Sequence, residues 1–157
     1  MNRLIFLDID GVLNSMEFIL AQSRSEAVTV IDESFDATKH LDSERIARLN
    51  RLIEATAAKV VLSSSWRLLY GLEKTQLSLR QKGFAHELSG ETPRIFGSDR
   101  HAEIKAYLAT LEPPVRFVVL DDDEFAGVDL EQHFVHVRDG LEDEHVERAR
   151  RVLAEER

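Results

Sequence analysis

Leu4-Ile5-Phe6-Leu7-Asp8-Ile9-Asp10-Gly11-Val12 sets the frame for the rest of the chain. Its four consecutive apolar residues suit a strand buried on both faces, as in parallel sheets covered by helices. Two carboxylates leave the strand two residues apart, and extended spacing points both the same way. Gly11 then supplies the free turn the chain needs. Two like charges this close are unfavourable without a cation or a shared proton.

Similar runs recur downstream. Lys59-Val60-Val61-Leu62, Phe117-Val118-Val119-Leu120 and Phe134-Val135-His136-Val137 read as further buried strands, with a weak strand near residues 84–88. Helical patterns lie between them. One begins after Asp42 as cap, with Ile46, Leu49, Leu52 and Ile53 inward. A second carries Leu69, Leu72 and Leu79 and stops at Lys82-Gly83. A third follows Asp99 as cap, holds Ile104, Tyr107, Leu108 and Leu111, and ends at Pro113-Pro114. The last holds Val146, Ala149 and Leu153. This rhythm predicts a three-layer, Rossmann-like α/β fold with a mostly parallel central sheet. In such sheets ligands gather beyond the carboxyl ends of the strands.

Those ends carry the chemistry. Leu120 is followed by Asp121-Asp122-Asp123-Glu124, four acids after four apolar residues. A parallel sheet brings this cluster to the same side as Asp8 and Asp10. Carboxylates without His or Cys partners suit a hard cation, Mg²⁺ before Ca²⁺. The second strand ends in Ser63-Ser64-Ser65-Trp66-Arg67, small hydroxyls and a cationic fork suited to phosphate oxygens. Trp66 by itself reads as core rather than as a substrate platform. The six histidines show no metal-ligand spacing and read as polar surface or strand-end residues.

Taken in order, these ends resemble the haloacid dehalogenase-like (HAD-like) superfamily of phosphotransferases and phosphatases. Its D-x-D-G-[TV] motif matches Asp8-Ile9-Asp10-Gly11-Val12, and its acidic pair after a strand matches Asp121-Asp122. Its strand-end Ser or Thr falls on Ser64, with Ser63 as second choice. Its Lys or Arg falls on Arg100, with Lys105 as the alternative. The resemblance implies a Mg²⁺-dependent phosphatase working through an aspartyl-phosphate. Asp8 is then the nucleophile and Asp10 the acid and base. Asp8, the Asp10 carbonyl, Asp121 and Asp122 hold the metal, and Ser64 and Arg100 hold the phosphate. Arg67 and Arg94 are further candidate substrate contacts. Residues 15–41, with a short helix near residues 16–22, are read as a flap in place of a full cap domain. The stretches Val61–Arg67, Gly90–Pro93 and Gly140-Leu141 also resemble small HAD domains of multifunctional, Swiss-army-knife RNA-repair proteins. That likeness points to nucleotide or polynucleotide phosphate ends as substrates. A silent phosphate-binding module of the same fold is the alternative. A receiver-like phospho-acceptor fits poorly, because here the middle strand ends in serines.

Composition bounds these readings. At 157 residues, with 43% apolar and 31% charged, the chain is one domain in size and can bury a core. It shows no repeat or linker, so residues 1–157 are read as a single domain. Its net charge of −9 argues against broad binding to nucleic-acid phosphates. The lack of cysteine excludes disulfides and thiolate chemistry. No apolar run is long enough for a membrane helix, and no secretory signal is evident, so a soluble cytoplasmic protein is expected. The partner expected is a phosphorylated small molecule or nucleic-acid end.

Overall fold

Alternation along the strands sorts the apolar side chains into two layers, and that sorting positions the site. The structure, a computed structural model, describes residues 1–25 and 36–154. Strands β1 (Asn2–Leu7), β2 (Lys59–Leu62), β3 (Leu88–Glu91), β4 (Val115–Asp121) and β5 (Phe134–His136) form one sheet in the order β3-β2-β1-β4-β5. Every pairing is parallel, so the sheet is wholly rather than mostly parallel. Each crossover between parallel strands must pass over a face of the sheet, and helices cover both faces.

On one face, Ile5, Leu7, Val60, Leu62, Val118 and Leu120 pack with α2 (Ser43–Thr56), α4 (Gly71–Gln81) and α6 (Asp143–Ala154). On the other, Leu4, Phe6, Val61, Phe117 and Val119 meet Ile104, Tyr107 and Leu108 of α5 (Arg100–Leu108). Phe6 sits edge-on to both Tyr107 and Phe117, with ring centroids 5.7 and 5.8 Å away. No helix among the described residues is long and apolar enough to cross a membrane.

Several local expectations shift. The helix expected across Leu69–Leu79 is two pieces, α3 (Trp66–Leu69) and α4. Gly71 breaks it at φ +81°, a left-handed backbone that leaves Leu69 exposed rather than inward. The weak strand forms at Leu88–Glu91 rather than near residues 84–88. Phe84 turns into the core instead, and Thr92 N–H continues the ladder by bonding the Leu62 carbonyl at 3.0 Å. Helix α5 stops at Leu108, and turns carry Leu111 into the same layer. Asp99 occupies its N-cap position but makes no side-chain capping bond. In the 15–41 stretch, α1 spans Met16–Ser25 and a 3-10 turn spans Ala37–His40. The remainder of the expected flap lies outside the described residues.

Asp42 does cap α2. Its carboxylate accepts from Glu44 N–H at 2.9 Å and pairs with Arg45, while its own N–H bonds the Leu13 carbonyl at 2.8 Å. Asp42→Ala is expected to lower stability by about 1–2 kcal/mol, the usual worth of a lost N-cap. Urea unfolding checks this, and an unchanged midpoint would show that the cap contributes nothing.

Candidate active site

Beyond the last ladder pairs, the chain changes from apolar to polar at three neighbouring strand ends. Leu7 of β1 is paired with Leu62 of β2 and Leu120 of β4, all in the α2/α4/α6 layer. The ladder runs one step further. Asp8 N–H bonds the Leu120 carbonyl at 3.0 Å, and Ser63 N–H bonds the Leu7 carbonyl at 2.8 Å. Alternation therefore turns Asp8, Ser63 and Asp121 to the opposite face, where α5 begins with Arg100. One residue of register decides this set.

Asp8 is 4% exposed and Asp121 is fully buried. With exposed Asp122 they offer three carboxylate oxygens within 4.8 Å of one another. Burial, then the neighbouring Asp121 charge, pushes the Asp8 carboxyl well above the usual carboxylate range, while Arg100 pulls the other way. Burial raises Asp121 as well, again opposed by Arg100. One Arg100 amino group lies 2.8 and 2.6 Å from the two Asp121 oxygens and 3.5 Å from Asp8. Burial works against the guanidinium charge, but Asp8 and Asp121 more than reverse it, so it stays cationic.

Gly11 completes the turn at φ +80°, and a Cβ there would meet Asp122 Oδ2 at 2.5 Å. That position excludes any side chain. Asp10 stays exposed and outside the three-carboxylate group. Its two oxygens accept from Asn14 Nδ2 at 3.1 Å and Trp66 Nε1 at 3.0 Å. His136, opposite Asp121 in β5, bonds the Asp122 carbonyl through Nε2 at 2.8 Å. A carbonyl only accepts, so Nε2 carries the proton.

The two serines differ in their surroundings. Ser64 Oγ accepts from Trp66 N–H at 3.2 Å, whereas buried Ser63 Oγ has no partner among the described residues. The chain beyond the β2 ladder puts Ser63, not Ser64, on the Asp8 side. Arg67 lines a cavity beside Arg100 but leaves little of its side chain exposed. It is buried and donates to the Ser64 carbonyl at 2.7 Å, the Thr92 carbonyl at 2.9 Å and Glu103 at 2.9 Å. It thereby joins the turns after β2 and β3 to α5. Lys105 pairs with Asp129 at 2.9 Å on the surface, leaving Arg100 as the cation on Asp121. Arg94 is exposed, with its guanidinium 4.6 Å from the Phe96 ring.

Sequence reasoning missed Asn14 and His136, whose roles follow from turn geometry and strand pairing. It read Trp66 as core, which is correct, but its indole N–H is also a polar contact of Asp10.

A model of the family described as the HAD domain in Swiss Army Knife RNA repair proteins matches residues 4–146. The chain belongs to this family. A comparison with curated proteins finds no match. Membership makes the chain a HAD domain, of the hydrolase and phosphatase superfamily, with the α/β Rossmann-like fold described above. HAD domains typically use Mg²⁺, and the donors here fit a hard divalent ion. They are all oxygen, and three carboxylates against one guanidinium leave two negative charges.

The raised Asp8 pKa has a consequence for stability. The folded protein holds the Asp8 proton to higher pH than the unfolded chain does, so ionising Asp8 destabilises the fold. Without added metal, Asp8→Asn is expected to melt higher than wild type at neutral pH. The difference should shrink as pH falls toward the unfolded carboxylate range of about 4. Thermal melts in EDTA at both pH values check this, and equal midpoints at neutral pH would contradict it.

Proposed function

We propose that this HAD domain is a Mg²⁺-dependent phosphoric monoester hydrolase acting on nucleotide or polynucleotide phosphate ends. The observation that carries the reading is the convergence of Asp8, Asp121, Arg100 and the unpartnered Ser63 hydroxyl at one sheet edge. A buried hydroxyl without a partner can donate to a phosphate oxygen.

Asp8 attacks phosphorus, forming an Oδ–P bond as the ester P–O bond breaks, and Asp10 gives its proton to the departing oxygen. Asp10 then takes a proton from the water that attacks the aspartyl-phosphate, freeing phosphate and restoring the Asp8 carboxylate. Ser63 and Arg100 hold the non-bridging oxygens throughout. Asp8, Asp121, Asp122 and the Asp10 carbonyl would hold Mg²⁺, which screens the repulsion between carboxylate and phosphate. Asp121 keeps Arg100 oriented, and Asp123 N–H steadies Asp121 at 2.9 Å.

The substrate class is supported by the family's description and by a cavity of about 260 Å³. Arg100 lines it together with Ser65, Arg67, Leu68, Arg94 and Phe96. Phe96 is 85% exposed, and a ring with a guanidinium against it suits a nucleobase beside the reacting phosphate. The net charge of −9 favours recognition of one phosphorylated end over grip on a long backbone.

Asp8→Asn is expected to abolish phosphate release from p-nitrophenyl phosphate, and EDTA to abolish it in wild type until Mg²⁺ is restored. Undiminished turnover in either case would overturn the nucleophile or the metal assignment respectively. Phe96→Ala should slow phosphate release from 3′- or 5′-phosphorylated oligonucleotides by roughly tenfold, in line with the loss of one stacked base. An equal loss on glycerol phosphate, a monoester with no ring to stack, would contradict the nucleotide assignment.

A further inference from the structure

Asp10 is solvent-exposed at the mouth of the site, where an aspartate on a turn ordinarily samples several rotamers. Here each of its oxygens meets a fixed donor. Trp66 Nε1 donates to Oδ2 at 3.0 Å, and Asn14 Nδ2 donates to Oδ1 at 3.1 Å. Neither donor can follow a moving carboxylate. Trp66 is 1% exposed, its backbone N–H is bonded to Ser64 Oγ, and its ring meets Tyr70 with centroids 5.0 Å apart. Asn14 is buried, and its Oδ1 accepts from Gly11 N–H at 2.8 Å. That bond fixes which end of the amide faces Asp10. The two donors come from different turns, one after β1 and one after β2.

A buried indole N–H needs a partner, and a backbone carbonyl would serve. Core packing explains why Trp66 is buried. It does not explain why its N–H is aimed at the carboxylate of the residue after Ile9, on a separate segment of chain.

We infer that Trp66 and Asn14 are positioning residues for Asp10, a role that rests on Asp10 acting as the acid and base proposed above. A carboxylate has about four lone-pair directions, two on each oxygen. The two donors take one on each, and the remaining directions are held in a fixed plane. Ser64 belongs to the same device, because its hydroxyl anchors the tryptophan backbone.

An acid matters in proportion to the leaving oxygen's need for a proton. p-Nitrophenolate departs readily without one, whereas a ribose alkoxide does not. Losing the position of Asp10 therefore separates the two substrates, while a general loss of fold slows both alike.

Trp66 is the chain's only tryptophan. Biosynthetic replacement of tryptophan by benzothienylalanine, with sulfur in place of the N–H, thus removes one donor and keeps the ring. In this protein and in Asn14→Ala, turnover of a nucleoside 3′-monophosphate is expected to fall on the order of tenfold, against less than about threefold for p-nitrophenyl phosphate. Equal losses on both esters, or none on either, would overturn the positioning role alone. Wild-type protein that hydrolyses neither ester would overturn the phosphatase reading and this role with it. A readout without substrate or metal is the single indole ¹H–¹⁵N signal. It should move upfield and exchange faster with solvent in Asp10→Ala, and an unmoved signal would overturn the inference.

Discussion

The repulsion among Asp8, Asp121 and Asp122 governs this site. With oxygens inside 4.8 Å, each ionised pair opposes folding by roughly 3–4 kcal/mol at an effective dielectric of about 20. A typical domain has only about 5–15 kcal/mol of net stability, so the cluster cannot stand alone. Arg100 answers part of it, while burial and the Asp121 charge make the ionised form of Asp8 harder to reach. Both conditions are provisional in chemical terms. On the proposed reading of Asp8 as nucleophile its ionised form is the one required, and a guanidinium bonded to Asp121 is a donor not yet turned to a phosphate. A divalent cation and a phosphate together would release both constraints, which gives this resting arrangement a direction.

The repulsion was legible in the sequence because it lies at the ends of apolar runs. Four apolar residues followed by acids, twice, in a chain that alternates strands and helices, place both clusters on one sheet edge. What the pattern could not supply was which of two neighbouring residues faces inward. Ser63 and Ser64 have the same chemistry, and only the register of Leu7 with Leu62 separates them. A slip of one residue would exchange their roles.

Arg67 and Trp66 show a different limit. Each has a charged or polar tip on a large body, and sequence pattern assigns the body more readily than the tip. Arg67 follows the serines and reads as a substrate contact, and its guanidinium also bonds the Ser64, Thr92 and Pro93 carbonyls and Glu103. Those carbonyls lie beyond the ends of β2 and β3 and have no ladder partner, so a five-donor side chain is well suited to them. Trp66 was legible as core, but its N–H direction depends on the α3 turn and on where Asp10 arrives. Lys105 could stand in for Arg100 by distance along the chain, but it lies more than one helical turn further on and finds Asp129 instead.

The acidic balance of the chain also takes a location. Residues 121–131 hold six acids and no base, so much of the net charge of −9 lies beside β4. The turn that must approach these acids is held by neutral backbone groups. Gly140 N–H bonds the Gly11 carbonyl at 2.7 Å, Leu141 N–H bonds the Val12 carbonyl at 2.8 Å, and Asp42 N–H bonds the Leu13 carbonyl at 2.8 Å. Successive carbonyls of one short turn are thus fixed by the segments leading into α6 and α2. Those helices pack on the face opposite α5, so the turn between Asp8 and Asn14 is braced from one layer while its charged partner Arg100 comes from the other. Placing the bracing and the charge on opposite faces holds the turn that carries Asp10 through bonds that do not involve Arg100.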